Sequence, residues 1–185
     1  MACELVDLDR QGIKMKIIFV RHGEPDYREL EECSYTGFGL DLAPLSEKGR
    51  RQAQELCQNP LLGSADILVS SAVTRALETA SYLTCATDLP LRVEPLLHEW
   101  QVYEKGIENF ERARCLFLVN NGKLLPDSPI QYETAEEMKA RFLQTMIKYR
   151  DYQTVLVVAH RMLMRQFVSD EKIDFCQVIE CELEI

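Results

Sequence analysis

A single α/β domain, with a mostly parallel central sheet flanked by helices, is the fold class this sequence predicts. Three observations predict it. Short apolar runs rich in β-branched residues recur along the chain, and longer segments of helical character separate them. The apolar runs also lack period-two alternation, as expected of strands covered on both faces. At 185 residues the chain is long enough for one domain with a substantial core and too short for two ordinary ones.

The first strand signal is "MKIIFV" (15–20), and "DILVS" (66–70), "LRVE" (91–94) and "TVLVVA" (154–159) follow, with "VIECELEI" (178–185) closing the sheet. Helices are expected between them. "SEKGRRQAQELC" (46–57) opens on the N-cap Ser46, although Gly49 weakens its first turn. "TRALETASYLTC" (74–85) follows the second strand at once. "TAEEMKARFLQTMIKYR" (134–150) opens on a capping box, Thr134 with Glu137, and its stripe of Met138, Phe142, Met146 and Tyr149 reads as core. "RMLMRQFVS" (161–169) is the last helix candidate. Residues 24–44 and 99–131 fit neither pattern and are expected to be long functional loops. The domain is taken as 15–185. Residues 1–14, "MACELVDLDRQGIK", form an N-terminal appendage, and Met15 is a possible alternative start.

Hydrophobic residues make up 46% and charged residues 28% of the chain, the composition of a globular protein. A net charge of −9 argues against nucleic acid or an anionic membrane as partner, since no basic excess exists to displace counterions. A small anionic ligand stays open, because a few clustered arginines can oppose the global field. The seven cysteines include no CxxC pair, and the three histidines lie far apart, so neither a metal site nor a disulfide framework is expected. The N-terminus lacks the basic and apolar regions of a signal peptide, and no apolar run reaches the length of a membrane span. A cytoplasmic location with reduced thiols follows as the expectation. Oligomeric state is not legible.

Ligands of open α/β sheets bind beyond the carboxyl ends of the strands. The first strand ends at Arg21-His22 and the long apolar strand at His160-Arg161. The second ends at Ser70-Ser71 and leads to Arg75, and the short one leads through "PLLHEW" to Glu99. Two imidazoles, up to three guanidiniums and a carboxylate should therefore meet at one edge, with His22 facing a wet crevice. The set suits phosphoryl transfer, which needs a nucleophile, cations around the non-bridging oxygens and an acid for the leaving oxygen. Arginine meets phosphate oxygens in pairs.

"FVRHGEP", "LAPLSEKGRRQAQEL", "ILVSSAVTRALETA", "LLHEW" and "VLVVAHRML" stand in the order and near the spacing seen in the histidine phosphatase (phosphoglycerate-mutase-like) superfamily. From residue 15 onward the chain resembles a small phosphatase-type member. The resemblance implies that His22 is the nucleophile that becomes phosphorylated, and that Arg21 and Arg75 bind phosphate. It implies that His160 is the second histidine and Glu99 the proton donor, although Glu104 lies five residues on. It also places a small-residue loop over the phosphate at Thr36-Gly37. His98 is expected at the surface or behind the site, and Trp100 either lines the pocket mouth or packs.

Three departures stand out. Arg161 replaces the glycine usual after the second histidine, and is expected to hold a second anionic group of the substrate. Arg28 stands near the asparagine of the mutases, whose tyrosine- and glycine-bearing stretch is absent from "HEWQVYEKG". The expected activity is hydrolysis of small phosphomonoesters through phosphohistidine, without metal or other cofactor. The alternatives are a weak or inactive phosphate-binding module and a phosphoglycerate mutase.

Overall fold

The computed structural model describes residues 14–35, 38–103, 107–170 and 172–185. In chain order the elements are β1 (Lys14–Arg21), α1 (Arg28–Glu32), α2 (Phe38–Asp41), α3 (Glu47–Leu56), β2 (Ile67–Ser71), α4 (Thr74–Thr87), β3 (Leu91–Glu94), α5 (Ile107–Val119), α6 (Ala135–Met146), β4 (Thr154–Ala159), α7 (Arg161–Met164) and β5 (Val178–Glu184). They form one α/β domain around a five-stranded sheet of order β3-β2-β4-β1-β5, parallel except for β5, which runs antiparallel to β1. Every expected strand is present. Lys14, assigned above to the appendage, pairs with Glu184 as the first residue of β1; the rest of that segment lies outside the described residues.

Both sheet faces are covered, which explains the missing alternation. Ile17, Phe19, Val155 and Val157 pack on one side with Phe142 and Met146 of α6 and Phe117 of α5. Ile18, Val20, Leu156 and Val158 pack on the other with Leu56 of α3 and Ala76, Ala80 and Leu83 of α4. The predicted stripe of Met138, Phe142, Met146 and Tyr149 is buried throughout, and the Thr134–Glu137 capping box is formed. α6 tightens to a 3₁₀ turn at Ile147–Tyr149.

Three expectations need correction. Residues 99–131 are not wholly irregular, because α5 lies within them. Phe110, Ala113 and Phe117 bind it to Trp100 and the core at helical spacing, a signal that its charged neighbours obscure. The 24–44 stretch likewise carries the short helices α1 and α2. The last helix is only four residues, Arg161–Met164, rather than the nine expected.

Gly49 has a tertiary reason that helix propensity hides. Ser46 caps α3 by accepting from the Gly49 N–H at 3.0 Å. The loop after β1 lies directly on that first turn, and a Cβ at Gly49 would stand 2.1 Å from the Glu24 carbonyl oxygen. A Cβ at Gly23 would meet the Gly49 carbonyl at 2.7 Å. Alanine at 49 gains about 1 kcal/mol in helix propensity but forces two backbones apart. Gly49→Ala is therefore expected to destabilise the fold by about 1–3 kcal/mol, read as a lower urea midpoint. An unchanged midpoint would show that the loop can lift away freely.

Candidate active site

The parallel strands end together. Arg21 lies opposite Ala159 and Ser70 opposite Val158, and the His22 N–H extends the ladder by donating to the Ala159 carbonyl at 3.1 Å. The residue after β1, His22, therefore stands beside the residue after β4, His160, with ring centroids 5.0 Å apart. Arg75 enters from the first turn of α4, on the far side of β2.

Hydrogen bonds define the protonation of this group. His22 Nδ1 lies 2.7 Å from the Gly23 carbonyl, which can only accept, so Nδ1 carries the proton and Nε2 presents its lone pair. Arg75 Nε donates to that Nε2 at 3.3 Å, and Arg75 Nη2 lies 3.5 Å from His160 Nδ1. Because arginine only donates, His160 Nδ1 is also an acceptor, and its Nε2–H is directed at Ser71 Oγ, 2.8 Å away. Burial, reinforced by the Arg75 charge, holds both imidazoles well below the ordinary histidine range. Both are neutral at pH 7.

Burial is deeper than the strand-end position suggests. His22 is 4% exposed, Arg75 5% and His160 0%, so His22 does not face a wet crevice with its whole ring. The reason lies in segments remote in sequence. Phe175 packs against His22 with a ring separation of 5.7 Å and stacks 3.8 Å below the Arg21 guanidinium. Thr79, one turn beyond Arg75, accepts from the Gly23 N–H at 3.0 Å and donates to the Arg75 carbonyl at 2.8 Å, joining the β1 loop to α4.

Arg21 is also half-buried. It donates from Nη1 to the Ile173 carbonyl at 2.6 Å, and burial with the nearby Arg161 charge lowers its pKa to about 10. Its Nε is buried without a hydrogen-bond partner among the described residues. An unpaired buried N–H is costly, and an anionic oxygen would satisfy it. Arg161 starts α7, and its side chain makes no hydrogen bond or ion pair among the described residues. Two like charges thus adjoin the histidine pair with unspent capacity for anions.

Glu99 follows the short turn after β3. Its Oε1 accepts from the Trp100 N–H at 2.9 Å and from the Met162 N–H of α7 at 3.2 Å, which brings the carboxylate beside the His160 element. Its Oε2 makes no hydrogen bond among the described residues. Glu104, Thr36 and Gly37 lie outside them. Trp100 packs rather than lining the mouth: it is 3% exposed, sits among Phe110, Phe117 and Tyr132, and donates from Nε1 to the Glu133 carbonyl at 2.6 Å. His98 is half-buried with Nδ1 2.8 Å from the Glu99 carbonyl. Arg28 forks onto Asp26 at the surface with its side chain 82% exposed, so it is not directed at the histidines.

Sequence reasoning gave Ser71 no role beyond ending the second strand, and passed over Thr79 and Phe175. Thr79 had a signal, being one helical turn from Arg75; Phe175 had none. Tyr27 and Asp41 were missed as well. Burial raises the pKa of each, and both feel the Arg75 charge. Among the described residues no group of three or more His, Cys, Asp or Glu side chains could hold a metal ion. No helix there is long and apolar enough to cross a membrane.

A neutral imidazole whose Nε2 is unprotonated, beside arginines and near a carboxylate, can attack phosphorus while its equatorial charge is held. Comparison with known proteins finds phosphatases. The adenosylcobalamin/α-ribazole phosphatase of Escherichia coli (strain K12) is 26% identical over 168 residues, covering 84% of this chain and 78% of that protein. An uncharacterized phosphatase, PhoE, of Bacillus subtilis (strain 168) is 30% identical over 158 residues, covering 83% of this chain and 76% of its own. A mycobacterial glucosyl-3-phosphoglycerate phosphatase, solved as a complex with VO3, shares the fold with a TM-score of 0.67 at 21% identity, over 90% of each chain. The family model for the histidine phosphatase superfamily (branch 1) matches residues 17–172, and the chain, with its paired strand-end histidines, belongs to that superfamily.

Proposed function

We propose that the protein hydrolyses small phosphomonoesters through a phosphohistidine intermediate. The observation that carries this reading is the pair of contacts at His22, Nδ1 on the Gly23 carbonyl and Nε2 on the Arg75 guanidinium, which leave Nε2 unprotonated. Nε2 attacks phosphorus and the bond to the leaving oxygen breaks. Arg21, Arg75 and His160 stabilise the charge that develops on the non-bridging oxygens. Glu99 donates the proton the departing alkoxide needs. Oε1 already accepts two N–H groups, so Oε2 is the oxygen that would pass the proton. The resulting carboxylate then takes a proton from water, whose oxygen attacks the phosphohistidine, and inorganic phosphate leaves with His22 restored. Thr36-Gly37 would cover the phosphate, and Arg161 would hold a second anionic group of the substrate. Relatives named as phosphatases support hydrolysis, and so does Arg28, tied to Asp26 where the mutases have asparagine.

Arg161 also favours one other reading, a phosphate-binding module without turnover, if the guanidinium fills the pocket. Turnover of p-nitrophenyl phosphate in excess chelator separates the two. Release of nitrophenol at a rate unaffected by chelator is expected, because arginines already provide the positive charge that a metal would bring. Tight phosphate binding without turnover would establish the module, and loss of activity restored by Mg²⁺ or Zn²⁺ would overturn the metal-free mechanism.

A further inference from the structure

Arg141 of α6 and Glu133, the residue before its N-cap, form an ion pair inside the protein, with side chains 9% and 6% exposed. Arg141 Nε and Nη2 meet Glu133 Oε1 and Oε2 at 2.5 and 3.1 Å, and Nη1 donates to the Leu96 carbonyl. Glu133 Oε2 also accepts from the Gln101 N–H at 3.2 Å. The Glu133 backbone holds the same stretch, donating to the Gln101 carbonyl at 2.9 Å and accepting from the Trp100 indole at 2.6 Å. Val102 and Tyr132 continue this contact as an antiparallel bridge.

All these contacts fall on residues 96–102, on both sides of Glu99. Leu96 lies three residues before it, and Trp100 and Gln101 follow it directly. A buried ion pair seldom stabilises a fold more than apolar residues of similar volume would, so its presence here calls for another reason. Burying two charges to fix the flanks of one loop carboxylate supplies that reason.

We infer that the Arg141–Glu133 pair is a positioning device for Glu99, setting the distance at which its carboxyl group meets the leaving oxygen of the substrate. The inference rests on the proposed role of Glu99 as proton donor. Among the described residues neither member of the pair hydrogen-bonds to the histidines, although the His160 pKa, held down mainly by burial, is lowered further by the Arg141 charge. Both act on Glu99 through the backbone of the loop, and the Met162 N–H holds the carboxylate from α7.

A structural role alone would lower activity on every substrate alike, whereas a positioning role depends on the leaving group. Nitrophenolate departs without a proton; an alkoxide requires one. The value of kcat/KM covers only steps up to departure of the leaving group, so the later attack of water does not enter. The experiment measures kcat/KM on p-nitrophenyl phosphate, phenyl phosphate and an alkyl phosphate for wild type, Arg141→Lys, Glu133→Gln and Glu99→Gln, at a temperature where melting curves show each folded. Lysine keeps the charge but cannot reach both carboxylate oxygens and the Leu96 carbonyl at once. Glutamine at 133 breaks the fork from the other partner and serves if the lysine variant does not fold.

Arg141→Lys and Glu133→Gln should lose about tenfold or more on the alkyl ester relative to the nitrophenyl ester, in the same sense as Glu99→Gln. A steep dependence for Glu99→Gln with an even loss, or none, for the two pair variants would overturn the positioning role and leave the acid in place. An even loss for Glu99→Gln itself would overturn the proposed acid, and the inference with it.

Discussion

Replacing His22 with alanine is expected to lower phosphatase activity by at least about a thousandfold, since the proposed nucleophile is lost. His160 also presents an unprotonated nitrogen, Nδ1, but it is 0% exposed against 4% for His22, and its Nε2 is tied to Ser71. The variant will also be less stable. His22 is buried, and its loss leaves Arg75 Nε without an acceptor, at a cost of about 1–3 kcal/mol. Circular dichroism at the assay temperature separates unfolding from loss of the nucleophile. Wild-type enzyme quenched during turnover should retain phosphoryl label in alkali and lose it in acid, as a phosphoramidate does. Activity of folded His22→Ala within a few-fold of wild type, or a label that survives acid, would end the phosphohistidine mechanism.

Arg75→Gln is expected to show the second-largest effect, about 10²–10³ in kcat/KM. It removes a guanidinium that contacts both imidazoles. Because the lost interaction is with charge that develops in the transition state, kcat and kcat/KM should fall together. A shift in pH dependence should accompany the loss. Burial is the main cause that holds His22 below the ordinary histidine range, and the Arg75 charge adds to it. Without that charge the imidazolium is less disfavoured and the pKa of His22 rises, so the neutral fraction falls at any given acidic pH. The acid limb of kcat/KM should consequently move to higher pH. An undiminished rate, or a lower rate with an unmoved acid limb, would show that Arg75 does not act on His22.

The fold was legible because sheet and helix obey local rules. β-Branched runs without alternation marked strands covered on both sides, and Ser46 and Thr134 announced two helix starts. α5 escaped because Glu111, Arg112 and Arg114 interleave with Phe110, Ala113 and Phe117 and mask the apolar face. The candidate site was legible to the same degree and for a related reason. In a parallel sheet, residues that follow strands must emerge at one edge, so the order of strands alone brings Arg21-His22, His160 and Arg75 together. Glu99 could be placed only loosely, because it lies on a loop.

What the sequence determined alone, therefore, is the identity of the groups and the edge on which they meet. The tertiary structure decided their state. Whether His22 carries its proton on Nδ1 or Nε2 depends on the Gly23 carbonyl and on Arg75, 53 positions away. The burial of the pair depends on Phe175 and Thr79, and the placement of Glu99 on the amide of Met162 and on an ion pair at 133 and 141. Side-chain chemistry is a property of the residue. Protonation, burial and distance are properties of its neighbours, and those neighbours come from segments that only folding brings together.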